Sequence, residues 1–339
     1  MPSQSENVTV VDPERATPDR VTSLTRFQKF AVATILATLL LVAFGGYTRG
    51  SGSGFGCADR WPLCEGGALG GVFPRAEFHM VIEWTHRWLA AGVGLLALAT
   101  ALLAWRDHRR DRRVLWPALS AVVLIGVQGY VGRVIVQREL DSDWVTLHLT
   151  MAMAITGLLV VGFVNSFFAG GRRPLALDAP DPAWSRWLAA GATVSLTVLL
   201  LGSSVHNRYV NGWPLVNDEL VPDFTGWVVT LHTTHRVVAA LGLLLLAYLA
   251  TSVVRRHRPR VEVVLVHGAL ACYVVNVALG AAHVFTFVRS SGLVAAHLAL
   301  ASLVWAMLLT AAVLARRGDE TAGGSDARGE RTTRARVEV

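Results

Sequence analysis

Residues 79–104 read HMVIEWTHRWLAAGVGLLALATALLA, and residues 228–253 read VVTLHTTHRVVAALGLLLLAYLATSV. Each run is apolar and long enough to cross the ~30 Å hydrocarbon layer of a bilayer as a helix. Each also carries Thr-His-Arg near its start. Eight such runs occur along the chain, at about 30–47, 79–104, 114–136, 144–168, 185–204, 226–253, 261–284 and 292–315. Soluble core helices seldom reach this length without charge. Overall composition agrees: of 339 residues 53% are hydrophobic and 16% charged, against about 25% charged in an ordinary soluble domain. The predicted class is an all-α polytopic membrane protein with eight transmembrane helices.

The formal charge is +7, yet its distribution excludes a nucleic-acid surface. Arginines gather in alternate loops: Arg106, Arg109, Arg110, Arg112 and Arg113; Arg172 and Arg173; Arg255, Arg256, Arg258 and Arg260; Arg316 and Arg317. The intervening loops, around 48–78, 137–143, 205–225 and 285–291, are poorer in arginine and richer in acids. Such alternation is the positive-inside pattern, and it places both termini in the cytoplasm. Glu6, Asp12, Glu14 and Asp19 argue against a transit peptide, and the first apolar run starts too late for a secretory signal. Residues 1–28 read as a cytoplasmic tail and 171–184 as a cytoplasmic linker. Residues 317–339, polar and Gly-containing, read as a disordered cytoplasmic tail.

Shifting the chain by 149 positions aligns the halves. Thr85-His86-Arg87 falls on Thr234-His235-Arg236, and Val145, His148, Leu149 and Ala152 fall on Val294, His297, Leu298 and Ala301. Trp61-Pro62-Leu63 echoes Trp213-Pro214-Leu215 in the loops. Duplicated units of this kind are common in membrane proteins. Two pseudo-symmetric four-helix bundles are predicted, over 29–170 and 185–316, in parallel orientation because four spans return the chain to its starting side.

The repeat also filters the eleven histidines. Two pairs survive, His86 with His148 and His235 with His297, each pair 62 positions apart. All four fall in the outer third of the membrane, where polar side chains are costly and tend to mark function. Two helices of a bundle that offer imidazoles at similar depth can ligate a heme iron from both sides. The plain alternative for any one of them is a hydrogen bond to a neighbouring helix. Zinc fits less well, since it wants four ligands or an open aqueous position. Glu83, three residues before His86, shares its helical face, and the other half has His232 there; a proton-handling or catalytic role is expected. His79 reads as solvated at the interface, and His206, His267 and His283 have no counterpart and no assigned role. Arg87 and Arg236 could reach porphyrin carboxylates, although side chains next to a ligand face elsewhere. Cys57 and Cys64 lie in the first outer loop, where oxidation permits a disulfide, either a staple or part of the chemistry. Cys272 reads as a small buried hydrophobe.

These residues, with GGYTRGSGSGFGC over 45–57 leading into Trp61-Pro62-Leu63-Cys64, resemble the heme A synthase family over about 28–315. The resemblance implies oxidation of a ring methyl of heme O to a formyl group, giving heme A for cytochrome oxidase. It implies heme O as substrate between His86 and His148, heme b as cofactor between His235 and His297, and Glu83 acting at the substrate site. It also implies Cys57 with Cys64 as a functional loop disulfide, in the plasma membrane of a bacterium. Some members carry a second cysteine pair in the later outer loop, which this chain lacks. Expected partners are heme O, the heme O synthase that supplies it, membrane lipid and an electron partner; homo-oligomerisation stays open. The competing readings are a two-heme b-type electron carrier and a transporter with structural histidines.

Overall fold

A computed structural model describes residues 23–172, 174, 180–205, 208–219 and 221–337, with side chains as far as Thr321 in the last helix. Eight helices are long and apolar enough to cross a membrane. They are α1 (Arg26–Gly50), α2 (Phe78–His108), α3 (Arg112–Gln137), α4 (Ser142–Phe167), α5 (Pro182–Val205), α6 (Trp227–Arg255), α7 (Arg260–Phe285) and α8 (Ser291–Val337). Each expected run coincides with one of them to within a residue at the ends that overshoot, and no strand forms among the described residues. A helix satisfies its own backbone, the requirement that hydrocarbon imposes on any span. Leu40, Leu95 and Leu244 are exposed, as lipid-facing positions should be.

Local chemistry sets the ends. Thr25 caps α1 in a reciprocal capping box with Gln28 (2.9 and 3.2 Å), which satisfies two orphan amides. Asp111 and Asp141 cap α3 and α4. The turns closing α3 and α7 place Glu139 and Leu140 (φ 54° and 62°), then Phe287 and Val288 (φ 53° and 57°), in the left-handed region. That region costs a non-glycine residue about 1–2 kcal/mol, so the same strained turn in both halves is the repeat expressed in backbone form.

Within residues 29–170, α1 packs on α2, α2 on α3, α3 on α4 and α4 on α1; α5 to α8 close the same ring. The bundles meet where α8 packs on α1 and α4, with α4 also touching α5. Small residues let these helices approach. A Cβ on Gly46 would stand 3.0 Å from Leu298, one on Gly50 3.0 Å from Val294, and one on Gly157 3.0 Å from Trp305. Hydroxyls and amides add cross-links: Thr34 bonds Thr100 at 2.9 Å and Gln28 donates to Ser166 at 3.1 Å.

The last helix runs on past the apolar span, α8 continuing to Val337. Charge pairing on the arginine-rich face accounts for the first turn beyond Arg316. Glu320 pairs with Arg113 (2.6 Å), Arg316 (3.4 Å) and Arg317. Asp319, 7% exposed, lies 3.6 Å from Arg258 and accepts the Asp181 amide at 3.0 Å. Arg258 in turn grips the fully buried Glu262 through two 3.0 Å bonds, and Glu262 also accepts Trp184 Nε1 at 2.8 Å.

Candidate functional site

Helices α2, α4, α6 and α8 all begin on the face that carries the disulfide loop. His86 and His235 each stand eight positions after the first residue of α2 and α6; His148 and His297 stand six positions into α4 and α8. At 1.5 Å per residue those depths are ~12 and ~9 Å. Each pair occupies diagonal helices of its ring and descends from the same face.

Each imidazole is seated against a glycine of the preceding helix. A Cβ on Gly45 would lie 3.2 Å from His86 Cε1, and one on Gly202 3.1 Å from His235 Cε1. The corresponding distances are 3.5 Å for Gly132 to His148 and 3.4 Å for Gly280 to His297. Four histidines and four glycines thus repeat as pairs. Nδ1 of His86, His148 and His235 is sealed from solvent without a partner, while His297 Nδ1 meets the Asn276 carbonyl at 3.1 Å. A proton on that nitrogen would donate to the carbonyl and leave the Nε2 lone pair free, the arrangement typical of a metal-bound histidine. The rings are only half-buried, and no bond to their Nε2 atoms forms among the described residues, so the accessible edge is the one a ligand needs. This donor set fits an iron porphyrin held from two sides. No group of three or more metal-ligating side chains occurs among the described residues, which a two-histidine porphyrin site does not need.

Sequence reasoning missed two kinds of neighbour. Gln128 and Asn276 occupy equivalent places, one turn before Gly132 and Gly280, and each has a buried side-chain oxygen without a partner. Gln128 donates to the His148 carbonyl at 2.9 Å. The 149-position shift that pairs the histidines does not pair these amides, because they stand 148 positions apart. His283 lies edge-on to His297 with ring centroids 5.3 Å apart; its lack of a counterpart removed it from consideration. His206 lies outside the described residues.

The loop over the first site is fastened to α2. Cys57 and Cys64 form a disulfide, and both are fully buried. Gly56 lets the chain in: a Cβ there would fall 2.2 Å from the His79 carbonyl oxygen. Glu83, 4% exposed, accepts the Cys57 amide at 2.7 Å, and its other oxygen takes the Arg87 guanidinium. Its repeat counterpart His232 bonds the Arg208 carbonyl. Both positions therefore tie a loop to a helix, one by accepting and one by donating. Arg87 donates to the carbonyls of Arg60 and Leu63, both at 2.9 Å. Arg236 donates likewise to Gly212 at 2.8 Å and to Leu215. Both arginines clamp the Trp-Pro-Leu loops through Nη1. His79 is exposed, as expected, with Nδ1 3.0 Å from Ser53 Oγ. Cys272, half-buried, packs against the core of the second bundle.

Comparison with known proteins identifies the family. The family described as cytochrome oxidase assembly protein, COX15-CtaA, matches residues 28–70 and 73–317. The heme A synthase of Shouchella clausii is 29% identical over 297 residues, covering 86% of this chain and 97% of that protein. Those of Alkalihalophilus pseudofirmus (27%, covering 69% and 78%) and Geobacillus kaustophilus (28%, covering 76% and 81%) are similar. An eight-helix membrane chain matched over nearly all its spans is a member of this family: it belongs to the COX15-CtaA cytochrome oxidase assembly proteins.

Proposed function

We propose that this chain is a heme A synthase, an oxidoreductase that converts a ring methyl of heme O to the formyl group of heme A. The observation that carries the reading is the fourfold histidine–glycine seat: four imidazoles at matched depth, each against a helix with no side chain in the way. In this reading His86 and His148 hold heme O as substrate, and His235 and His297 hold a resident heme b. When bound, that cofactor supplies one-electron relay for the four-electron change from methyl to formyl. The disulfide face is the outer face of a bacterial plasma membrane, and the arginine-rich face with both termini is cytoplasmic.

The chain's own residues supply position and shelter. His86 and His148 fix the substrate in the bundle, and the buried Cys57–Cys64 loop closes the end of that bundle. Glu83 is a positioning residue, because both its oxygens are engaged by protein donors and it joins the loop to the turn bearing His86. The disulfide and the carboxylate occur in the first half only, an asymmetry that supports one chemical site and one relay site over two equivalent carrier hemes. Expression in a cell that makes heme O but not heme A tests this. Extraction and mass spectrometry should then find heme A. A folded, heme-loaded protein that yields none would refute the assignment.

A further inference from the structure

Arg87 and Arg236 are each held through Nη1 by short bonds to loop carbonyls. Arg49 has no bond that short. It stands at the end of α1, one turn beyond the Gly45 that seats His86, and reaches across the seam between the bundles. Its guanidinium lies 3.5 Å from the Ser203 carbonyl, 3.4 Å from Ser203 Oγ and 3.4 Å from Ser142 Oγ. All three exceed the usual 2.7–3.2 Å for an N–H donor. Ser203 follows Gly202, which seats His235, and bonds Thr146 Oγ at 3.2 Å, two residues before His148. One loosely held cation thus touches α4, which bears His148, and α5, whose Gly202 seats His235.

Nothing acidic balances it among the described residues. The charged neighbour that bears on Arg49 is a second cation, Arg208, whose guanidinium lies 4.5 Å over the Trp227 ring. A half-buried guanidinium among neutral hydroxyls, close to like charge, lacks the anion that would compensate its lost hydration. Five donors in a planar fork match a carboxylate in two-point contact, and serine hydroxyls can add further donors. We propose that Arg49, with Ser142 and Ser203, forms an inter-bundle site for a porphyrin carboxylate, which makes Arg49 a positioning residue for the porphyrin plane. This rests on the reading of the four histidines as porphyrin ligands.

The test loads the full chain, expressed in cells that cannot make porphyrin, with iron protoporphyrin IX or with its dimethyl ester. Binding is followed through the Soret band. Wild type should bind the free acid about tenfold or more tighter than the ester, the effect of a charged hydrogen-bonded contact. Arg49→Met should lose that preference yet keep the low-spin spectrum of two-histidine ligation, and Arg49→Lys should keep part of it. Repeating the titration in His86→Ala and His235→Ala backgrounds identifies which porphyrin supplies the carboxylate. Equal binding of acid and ester by wild type, or an undiminished preference in Arg49→Met, would overturn the proposal while leaving histidine ligation intact. Absence of a low-spin spectrum in wild type with either porphyrin would instead sink the histidine reading beneath it.

Discussion

Glu83 shows how a single residue can be located correctly and still be read differently once its partners are known. Its place on the His86 face follows from helical spacing alone. That its oxygens are taken by Cys57 N–H and Arg87 does not, because a loop amide 26 positions away in the chain has no sequence signature. The same holds for Arg87 and Arg236, whose partners are backbone carbonyls. If Glu83 works by holding the loop, Glu83→Ala should lower heme A output about 100-fold, the penalty for displacing a site by an ångström or so. Glu83→Gln, which still accepts the Cys57 amide, should stay within about threefold of wild type by the same reasoning. Quantitation of extracted hemes checks both. A Gln variant as inactive as Ala, with its hemes in place, would return Glu83 to the proton-transfer role expected from the sequence.

Between helices, the glycine seats carry the account. The eight spans and the duplication were legible because apolar run length and a 149-residue shift are properties of the string. Which glycine faces which histidine was not, since that depends on ring adjacency: α1 with α2, α3 with α4, and their counterparts. The seats also give a prediction that separates site from fold. Glycine inside a helix costs about 1 kcal/mol relative to alanine, so a larger residue at Gly45 or Gly202 does not disfavour helix formation. A valine there would nonetheless drive methyls into an imidazole already only 3.1–3.2 Å from the first added carbon. Gly202→Val should therefore fold and insert normally but lose the heme of the second bundle, and Gly45→Val that of the first. Soret absorbance per mole of monodisperse protein is the readout, and full occupancy in either variant would show that the glycines are incidental.

At the scale of the whole molecule, two rings share a seam formed mainly by α8 against α1 and α4. The arginine-rich end of the second ring is locked by Arg258, Glu262, Trp184 and Asp319. That lock was not legible in the sequence, because composition registers polarity and not the partners that polar groups find on other helices. Removing one member of a buried ion pair typically costs 3–5 kcal/mol. Glu262→Ala should accordingly lower the thermal unfolding midpoint markedly while leaving the absorption spectrum of the folded protein unchanged, since the lock and the histidines lie at opposite ends of the bundle. An unaltered midpoint would mean that the network contributes little.

The central claim is that each histidine pair shares one porphyrin iron. Near-infrared magnetic circular dichroism of the purified protein reports axial ligands directly, and it should be recorded for wild type and for each of the four single histidine-to-alanine variants. The account predicts two-histidine low-spin heme in wild type. His235→Ala and His297→Ala should each abolish the signal of the same resident heme, and His86→Ala and His148→Ala should leave that heme intact. Retention of the two-histidine signal of the resident heme after loss of His235 or of His297 would contradict it.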